Sequence, residues 1–310
     1  MPESRLTVMG SFVADLAFRT PHLPAWGETV MGSEFRLGPG GKGSNQAVAA
    51  ARLGGNVTFI SKLGRDPFGE LARRTYLEEG IDTRFVFETL DHPTGGATII
   101  VDQVTGENAI VVVPGACFHV SSGDIDQARD TIAQSAVFMT QLELSLDAVE
   151  YGLQVAKSLG VPTILNPAPA LPLPDRIYPF CDYLTPNESE AAMLAQQPVT
   201  DLASAERAAE ILLSRGVGGV VVTLGAQGAL VKTPVVTRHV PAVNAGPVVE
   251  TTGAGDAFNG GFAVALAEGL DIVDATRFGC AVAGISVTRH GTAPSMPTRA
   301  EVDVLLRTIS

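Results

Sequence analysis

The chain has 310 residues, of which 45% are hydrophobic and 17% charged, and its 33 acidic and 21 basic residues give a net charge of −12. This length and composition predict a folded protein with a large core and exclude an intrinsically disordered chain. The net negative charge argues against nucleic acid as the main partner, because nucleic-acid binding depends on Lys and Arg neutralising phosphates.

The three cysteines, Cys117, Cys181 and Cys280, lie far apart and form no CxxC or Cys/His pattern of a zinc site. We therefore expect three buried thiols in a reducing compartment. No uninterrupted run of about 18 apolar residues predicts a membrane span. The first residues also lack the basic and apolar regions of a signal peptide, which makes the cytoplasm the expected location.

Strand-like and helix-like segments alternate along most of the chain. The predicted strands are Leu6–Gly10, Val57–Ser61, Ala136–Thr140, Pro162–Leu165, Tyr183–Thr185 and Val217–Thr223. The predicted helices are Asn45–Leu53, Phe68–Glu79, Leu146–Leu159, Glu188–Ala195, Ser204–Ser214, Ala254–Ala267 and Asp274–Val287. Continuous apolar strands between helices are typical of an α/β fold with a mostly parallel sheet covered on both faces.

Two segments, Glu28–Leu37 and Ala97–Val113, break this alternation. Their polar and apolar residues alternate as in a sheet with one exposed face. We predict a small antiparallel sheet that is inserted at about 14–38 and 95–113 into a single domain spanning 1–310. Such a lid could exclude water from a site beneath it. Its exposed apolar face would be a natural dimer contact.

The stretch Thr251–Gly261 is the most informative, because two glycines and Asp256 stand at the start of a predicted helix. The free N–H groups and the dipole of a helix start favour an anion such as phosphate. A carboxylate repels a phosphate, but it suits a base that takes a proton from an alcohol attacking that phosphate. The alternative is an acid that only complements the helix dipole.

A second glycine-rich stretch, Gly38–Gln46, contains the GxGxxG spacing of dinucleotide-binding folds. The next strand ends at Lys62 without the expected carboxylate, and Pro39 would lie inside the phosphate turn. Lys42 is followed by glycine rather than Ser or Thr, which argues against a Walker A loop. Lys42 and Asn45 are donors suited to sugar hydroxyls and negative charge, with an ordinary strand-to-helix turn as the alternative.

Three further segments follow predicted strands, where open α/β sheets bind ligands. Asn187 and Glu190 lie three residues apart at a helix start and could hold a hydrated Mg²⁺ beside phosphates. The alternative for this pair is a helix-capping arrangement. The turn Thr223–Gly228 could shape a nucleotide pocket or be an ordinary turn, and Glu143 could bind hydroxyls.

As a pair, the stretches 40–47 and 252–260 closely resemble the two signatures of the ribokinase-like carbohydrate kinases, also called the PfkB family, and the likeness spans nearly the whole chain. The resemblance implies a three-layer α/β/α sandwich, a β-sheet lid and dimers that pair through the lids. It also implies ATP-dependent phosphorylation of the primary (5-) hydroxyl of a pentose, D-ribose first. The alternatives are a kinase for 2-deoxyribose, a keto-sugar or a nucleoside, or a regulator that binds sugar or nucleotide without catalysis.

Carried over residue by residue, the resemblance makes Asp256 the base and the N–H groups of Gly253, Ala254, Gly255 and Asp256 the anion hole. It implies that the sugar is bound by Val13, Ala14, Asp15, Gly41, Lys42, Gly43, Ser44, Asn45, Glu143 and Asp256. It implies that ATP is bound by Asn187, Thr223, Leu224, Gly225, Ala226, Gln227, Gly228, Gly255, Asp256 and Cys280. Glu190 would hold Mg²⁺ through water. A monovalent cation, expected to be K⁺, would be held mainly by backbone carbonyls at Glu250, Thr252, Ser286, Arg289, Gly291 and Ser295.

The chain departs from the family pattern at two positions. The ribose kinases of the family usually carry Asn where this chain has Val13, and Asn can hydrogen-bond a hydroxyl whereas Val cannot. If Val13 points into the site, we expect a reduced preference for ribose over a sugar without that hydroxyl, such as 2-deoxyribose. An Asp is usual where this chain has Glu250, whose longer side chain either still reaches the cation or displaces it.

Overall fold

The computed structural model describes residues 4–309. Within them the strands are β1 (Arg5–Met9), β2 (Val13–Thr20), β3 (Glu34–Gly40), β4 (Asn56–Gly64), β5 (Asp82–Thr89), β6 (Thr94–Asp102), β7 (Asn108–Gly115), β8 (Val137–Thr140), β9 (Thr163–Leu165), β10 (Tyr183–Leu184), β11 (Gly219–Thr223), β12 (Ala229–Lys232) and β13 (Thr237–Val240). The helices are α1 (Lys42–Arg52), α2 (Pro67–Glu78), α3 (Ser122–Gln127), α4 (Arg129–Ala133), α5 (Leu146–Ser158), α6 (Glu188–Ala195), α7 (Leu202–Ser214), α8 (Ala254–Ala267), α9 (Ile272–Ser286) and α10 (Arg299–Ile309).

The central sheet has nine strands in the order β13-β12-β11-β10-β9-β8-β1-β4-β5. All pairings from β11 to β5 are parallel, whereas β12 and β13 pair antiparallel at one edge. The central strands are short and apolar, such as the Gly-Val-Val-Val-Thr of β11. β-branched runs of this kind suit strands that are buried on both faces. The mostly parallel central sheet is confirmed.

Helices cover both faces of this sheet and enclose two apolar cores. One core contains residues of α1, α2, α8, α9 and α10, and the other contains residues of α3 to α7. Successive strand residues alternate between the cores, so that Phe59 of β4 lies in the first and Ile60 in the second. The predicted three-layer sandwich is therefore confirmed. None of the helices in residues 4–309 has the length and apolar character that crossing a membrane requires.

A smaller sheet contains four strands in the order β3-β2-β6-β7. Its two outer pairings are antiparallel, but β2 and β6 are parallel, so the sheet is mixed rather than purely antiparallel as predicted. The reason is that β2 follows β1 and β6 follows β5, two strands that point the same way in the central sheet. The predicted strand Glu28–Leu37 begins only at Glu34. Glu28 instead closes a turn, in which its carboxylate accepts the Ala25 N–H at 2.9 Å.

Most other predicted elements of the central sheet and its helices lie within a few residues of the observed ones. The sequence patterns did not predict strands β2, β5, β12 and β13 or helices α3, α4 and α10. β5 and β13 are only partly buried, and their sequences mix polar and apolar residues without a continuous apolar run. Such edge strands lack the signal that identifies a strand buried on both faces.

Candidate active site

The candidate site lies at the carboxyl ends of the central strands, next to the starts of α1 and α8. Residues at or just beyond the ends of β1, β8, β9, β10 and β11 contribute to it: Ser11, Glu143, Asn166, Asn187 and Thr223. Parallel strands end at the same edge of a sheet, which brings together residues that are far apart in sequence.

Asp256 lies in the first turn of α8 and is buried, with 7% of its surface exposed. Gly253 caps this helix with a φ of +83°, and a Cβ there would lie 3.2 Å from Thr292 Cα. A residue with a side chain would be strained in this backbone conformation and would crowd the neighbouring loop. The glycine thus lets the helix start lie close to the loop before α10.

The amides at the start of α8 differ in their partners. The Ala254 N–H donates to the Thr251 carbonyl at 3.1 Å and is already engaged. The N–H groups of Gly253, Gly255 and Asp256 make no hydrogen bond within residues 4–309. A Cβ built on Gly255 would meet nothing within 4 Å, so the space beside this amide is open. Unpaired amides facing open space at a helix start fit an anion such as phosphate.

Both oxygens of the Asp256 carboxylate accept hydrogen bonds from buried amide side chains. Asn45 Nδ2 donates to Oδ2 at 2.9 Å, and Gln46 Nε2 donates to Oδ1 at 3.0 Å. Both donors belong to α1, which begins in the first glycine-rich motif, and Asp256 belongs to the second. These two hydrogen bonds therefore connect the two motifs. Asn45 Oδ1 is buried without a hydrogen-bond partner in the described part of the chain. This orphaned acceptor fits a ligand hydroxyl, because a buried polar atom left unpaired is costly.

The predicted sugar-binding acids lie close to this carboxylate. Glu143 Oε2 accepts the Lys42 backbone N–H at 2.9 Å and the Ser11 hydroxyl. Burial raises the pKa of Asp15 to about 7; the Thr292 hydroxyl opposes this shift, and the charges of Glu143, Asp256 and Glu250 add to it. A carboxyl with so high a pKa in a cleft is typical of a binding or catalytic position.

Lys42 is the cation among these acids. Burial alone would lower its pKa, but the nearby carboxylates of Asp256, Glu143, Glu190 and Asp15 outweigh burial and raise it. The ammonium group therefore stays charged although the side chain is partly buried. It lies within electrostatic reach of both the predicted sugar side and the predicted nucleotide side.

Val13 and Ala14 lie on opposite faces of β2. Val13 is 2% exposed and lies on the same face as Asp15, since side chains alternate along a strand. Val13 belongs to neither apolar core, whereas Ala14 is packed in the core beside α1 and α8. Of the two predicted sugar-binding residues, Val13 thus has the side chain on the site face, and Ala14 can reach a ligand only through its backbone. Gly41 has a φ of +88°, and a Cβ there would lie 2.7 Å from Val13 N.

On the predicted nucleotide side, Asn187 and Glu190 form the capping box that was the alternative interpretation. Asn187 Oδ1 accepts the Glu190 N–H, and Glu190 Oε2 accepts the Asn187 N–H, both at 2.9 Å. Glu190 is 5% exposed, and burial raises its pKa. A β-bridge joins Asn187 to Thr223, so the capped helix adjoins the turn Thr223–Gly228. Cys280 lies in α9 within the apolar core, where burial raises its pKa to about 12.

The predicted cation-binding residues lie around the loop before α10. Glu250 Oε2 accepts the Gly291 N–H at 3.0 Å and lies 3.5 Å from His290 Nδ1. Thr252 and Gly291 line the same cleft, and the Glu250 N–H donates to the Val287 carbonyl. The other side chains are bonded to protein partners: Ser286 to the Ala283 carbonyl, Ser295 to the Thr292 carbonyl and Arg289 to Glu301.

Sequence reasoning missed several residues that contact the site: Ser11, Gln46, Gln141, Asn166 and Thr292. Gln46 lies inside the first motif but received no role, because no local pattern says which side chain reaches Asp256. Asn166 follows a predicted strand, where open α/β sheets bind ligands, but it received no role. Thr292 Oγ1 lies 3.3 Å from Asp15 Oδ2 and 3.2 Å from the Pro39 carbonyl, across most of the chain.

Comparison with known proteins agrees with this geometry. The model of the pfkB family of carbohydrate kinases matches residues 3–299. The ribokinase of Haemophilus influenzae is 43% identical over 296 residues, which cover 96% of each chain. The deoxyribokinase of Salmonella typhimurium is 38% identical, covering 94% of this chain and 95% of that protein.

A solved structure shares the whole fold. The structure of Arabidopsis thaliana ribokinase complexed with ribose and ATP has a TM-score of 0.90 and 31% identity, and 99% of each chain is covered. The family match over nearly the whole chain agrees with the paired motifs and the three-layer fold. This chain belongs to the pfkB family of carbohydrate kinases.

Proposed function

We propose that this chain transfers the γ-phosphoryl group of ATP to the primary (5-) hydroxyl of a pentose, with D-ribose as the first substrate and ribose 5-phosphate as the product. The observation that carries the proposal is the buried carboxylate of Asp256 beside the amides at the start of α8, which have no hydrogen-bond partner in the described part of the chain. The ribokinase of Haemophilus influenzae and the Arabidopsis ribokinase bound to ribose and ATP support this pair of substrates.

Asp256 acts as the general base in this proposal. It takes the proton of the sugar's primary hydroxyl while that oxygen attacks the γ-phosphorus. The new O–P bond forms as the bond to the ADP oxygen breaks, and the proton stays on the carboxylate. The free N–H groups of Gly253, Gly255 and Asp256 stabilise the charge on the transferred phosphoryl oxygens. Lys42 adds a positive charge within reach of the same place.

The sugar lies between Asp15, Glu143 and the start of α1. Its hydroxyls donate to the carboxylates of Asp15 and Glu143 and to the orphaned Oδ1 of Asn45. The amides of Gly41 and Gly43 at the start of α1 complete the sugar side, whereas the Ser44 N–H already donates to the Ser11 carbonyl at 2.9 Å. The lid sheet carries Asp15 on β2, so closing the lid would exclude water from the transfer.

ATP is bound on the other side, by Asn187, Cys280 and the turn Thr223–Gly228. Glu190 takes part in the Mg²⁺ shell through water. Its capping bond engages only one carboxylate oxygen, and the other has no partner among residues 4–309. A monovalent cation such as K⁺ is held by carbonyl oxygens around Glu250 and the loop before α10. Within residues 4–309 no cluster of His, Cys, Asp and Glu forms a conventional metal site.

A second candidate substrate is 2-deoxyribose, and Val13 is the observation that favours it. Its apolar side chain lies on the site face of β2, two residues from Asp15, where it offers a sugar hydroxyl no hydrogen bond. The likeness to the deoxyribokinase of Salmonella typhimurium supports this candidate.

The small sheet also supports a homodimer that pairs through the lids. Its strands β3 and β7 expose Phe35, Leu37, Val111 and Val113, and apolar patches of this kind mark contact surfaces. The three free, buried cysteines suit a reducing cytoplasm, where we place the enzyme. Cell fractionation that recovered the protein outside the cytoplasm would contradict that location.

The test is phosphorylation of a sugar panel by the purified chain with ATP and Mg²⁺, in K⁺ and in Na⁺. We expect ribose or 2-deoxyribose to be phosphorylated at the 5-position, faster in K⁺ than in Na⁺. The variant Asp256→Asn should lose about 1,000-fold or more in kcat, because both base and charge are removed.

The outcomes separate the alternatives. A chain that binds sugar and ATP without any turnover would be the non-catalytic regulator. If Asp256→Asn kept the wild-type kcat, the base would be assigned to the wrong residue. Equal rates in K⁺ and Na⁺ would contradict the proposed monovalent-cation site but not the proposed kinase activity.

A further inference from the structure

A chain of buried amide side chains connects the Asp256 carboxylate to the ends of strands β8 and β9. Gln46 stands at its centre with no exposed surface. Its Nε2 donates to Asp256 Oδ1 and to Asn166 Oδ1, both at 3.0 Å. Its Oε1 accepts from Gln141 Nε2 at 2.6 Å. All hydrogen-bonding positions of this amide are therefore used, apart from the second lone pair of its oxygen.

The direction of the Gln46 amide is fixed by its neighbours. Asn166 Nδ2 donates to the Thr185 backbone carbonyl at 3.1 Å, and a carbonyl can only accept. Asn166 must therefore present its oxygen to Gln46, and Gln46 must present its NH₂ group to both Asn166 and Asp256. A flipped Gln46 amide would place its oxygen against two other oxygens, which repel it.

The same strand end also reaches the anion-hole backbone. The Thr185 hydroxyl donates to Asn259 Oδ1 at 2.6 Å, and Asn259 Nδ2 donates to the Gly255 carbonyl at 2.8 Å. Hydrogen bonds thus connect both Asp256 and the peptide before it to Thr185, just beyond β10. Thr185 and Asn259 are each 1% exposed, so water does not compete for these bonds.

We propose that Gln46 is a positioning residue for the base, holding the Asp256 carboxylate in the orientation from which it receives the sugar proton. A carboxylate has about four lone-pair sites, and the bonds from Asn45 and Gln46 occupy one on each oxygen. The remaining sites are then restricted in direction, which suits a proton transfer that depends on geometry. The proposal rests on the assignment of Asp256 as the base.

The experiment compares Gln46→Met with the wild type in steady-state kinetics. Met keeps the length of the side chain but cannot donate to Asp256. We expect kcat to fall by about 10- to 100-fold, the effect of losing a hydrogen bond to a charged group. The KM values for sugar and ATP should stay within about threefold, because a residue without exposed surface touches neither substrate. A variant with wild-type kcat would overturn the proposal.

A double-mutant cycle with Asp256→Asn tests whether Gln46 acts through the base. Turnover is followed with radiolabelled ATP, so that low residual rates can be measured. If Gln46 acts through Asp256, adding Gln46→Met to Asp256→Asn should change kcat by less than about threefold. An equal loss in both backgrounds would overturn the proposal. A wild-type rate in Asp256→Asn alone would instead overturn the base assignment.

Two further variants separate positioning from folding. Gln197→Met removes an amide whose Nε2 is also buried, but one that lies at the end of α6, and it should leave kcat unchanged. Gln46→Glu keeps the shape, and burial beside the Asp256 carboxylate keeps the new carboxyl protonated, so that it can still donate to Asp256. It should lower kcat less than Gln46→Met does, provided that thermal melting shows both variants to be folded. A larger loss in Gln46→Glu than in Gln46→Met would count against the proposal.

Discussion

Val13 is the residue at which we expect this chain to depart most clearly from the ribose-binding pattern of its family. Its side chain is buried on the site face of β2 and belongs to neither apolar core. A hydroxyl that meets it without another partner costs about 1–3 kcal/mol. The residue therefore bears on which pentose is preferred rather than on whether phosphoryl transfer occurs.

We predict that Val13→Asn raises the ratio of kcat/KM for ribose over 2-deoxyribose by about tenfold, because 1.4 kcal/mol corresponds to a factor of ten. Val13→Ala is the control, since it makes room without adding a donor and should leave the ratio near that of the wild type. Kinetics with both sugars give the measurement. A wild-type preference for ribose above about 100-fold would show that no hydroxyl is lost at Val13.

The residues predicted from local motifs differ from those found only in the structure in how far along the sequence their contact partners lie. Gly41 and Gly253 were recognisable because a positive φ and a helix start leave a mark within a few residues. Gln46 reaches Asp256 across 210 residues, and Thr292 reaches Asp15 across 277. No pattern of neighbouring residues encodes such contacts, so only the folded chain reveals them.

At the scale of elements, the bond between Thr292 and Asp15 connects the lid strand β2 with the loop before α10. Thr292 Oγ1 is 3.3 Å from Asp15 Oδ2 and 3.2 Å from the carbonyl of Pro39 in β3. Both neighbours are acceptors, so the hydroxyl acts as the donor. The Thr292 hydroxyl also opposes the rise in the pKa of Asp15 that burial causes.

We predict that kcat/KM for the sugar rises about tenfold between pH 6 and pH 8. The pKa of Asp15 is raised from 3.8 to about 7, so the carboxyl is mostly protonated below that pH and mostly ionised above it. The ionised form accepts the sugar hydroxyls, and kcat/KM reports the free enzyme. A profile that is flat through pH 7, in an enzyme that remains folded, would contradict this role.

We expect Thr292→Val to move that pH profile upward by about half to one unit, because the hydrogen bond that favours the charged carboxylate is removed. Val matches Thr in shape, so packing against Gly253 is kept. Thr292→Ser restores the hydroxyl and should restore the profile. If Thr292→Ser and Thr292→Val behaved alike, the effect would come from packing and not from the hydroxyl.

The same distinction between local sequence patterns and long-range contacts explains which helices and strands could be predicted. The buried strands of the central sheet and the long helices were recognisable, because burial on both faces requires apolar runs and amphipathic helices have a period. The pairing of β2 with β6 was not, since it depends on the common direction of β1 and β5. The edge strands β5 and β13 carry mixed sequences, because only one side of them is enclosed.

At the scale of the whole molecule, the small sheet has one face toward the site and one face away from it. The register of its strands places Asp15, Ile99 and Ile110 on the site face. Phe35, Leu37, Val111 and Val113 share the opposite face and are 55%, 49%, 68% and 59% exposed. An apolar face this open on an edge strand favours pairing with a second copy of the chain.

We predict that the wild-type chain sediments at twice the mass of one chain and that Val111→Lys combined with Phe35→Lys shifts it to the mass of one. The charges would have to be buried without partners in a lid-to-lid contact, which is costly. Val235→Lys is the matched control: Val235 is 91% exposed, lies between β12 and β13 and should leave the mass unchanged. A double variant that stayed dimeric would place the contact on another surface. Because the two lysines lie on the face opposite Asp15, any accompanying loss of sugar affinity would show that pairing of the lids itself shapes the sugar site.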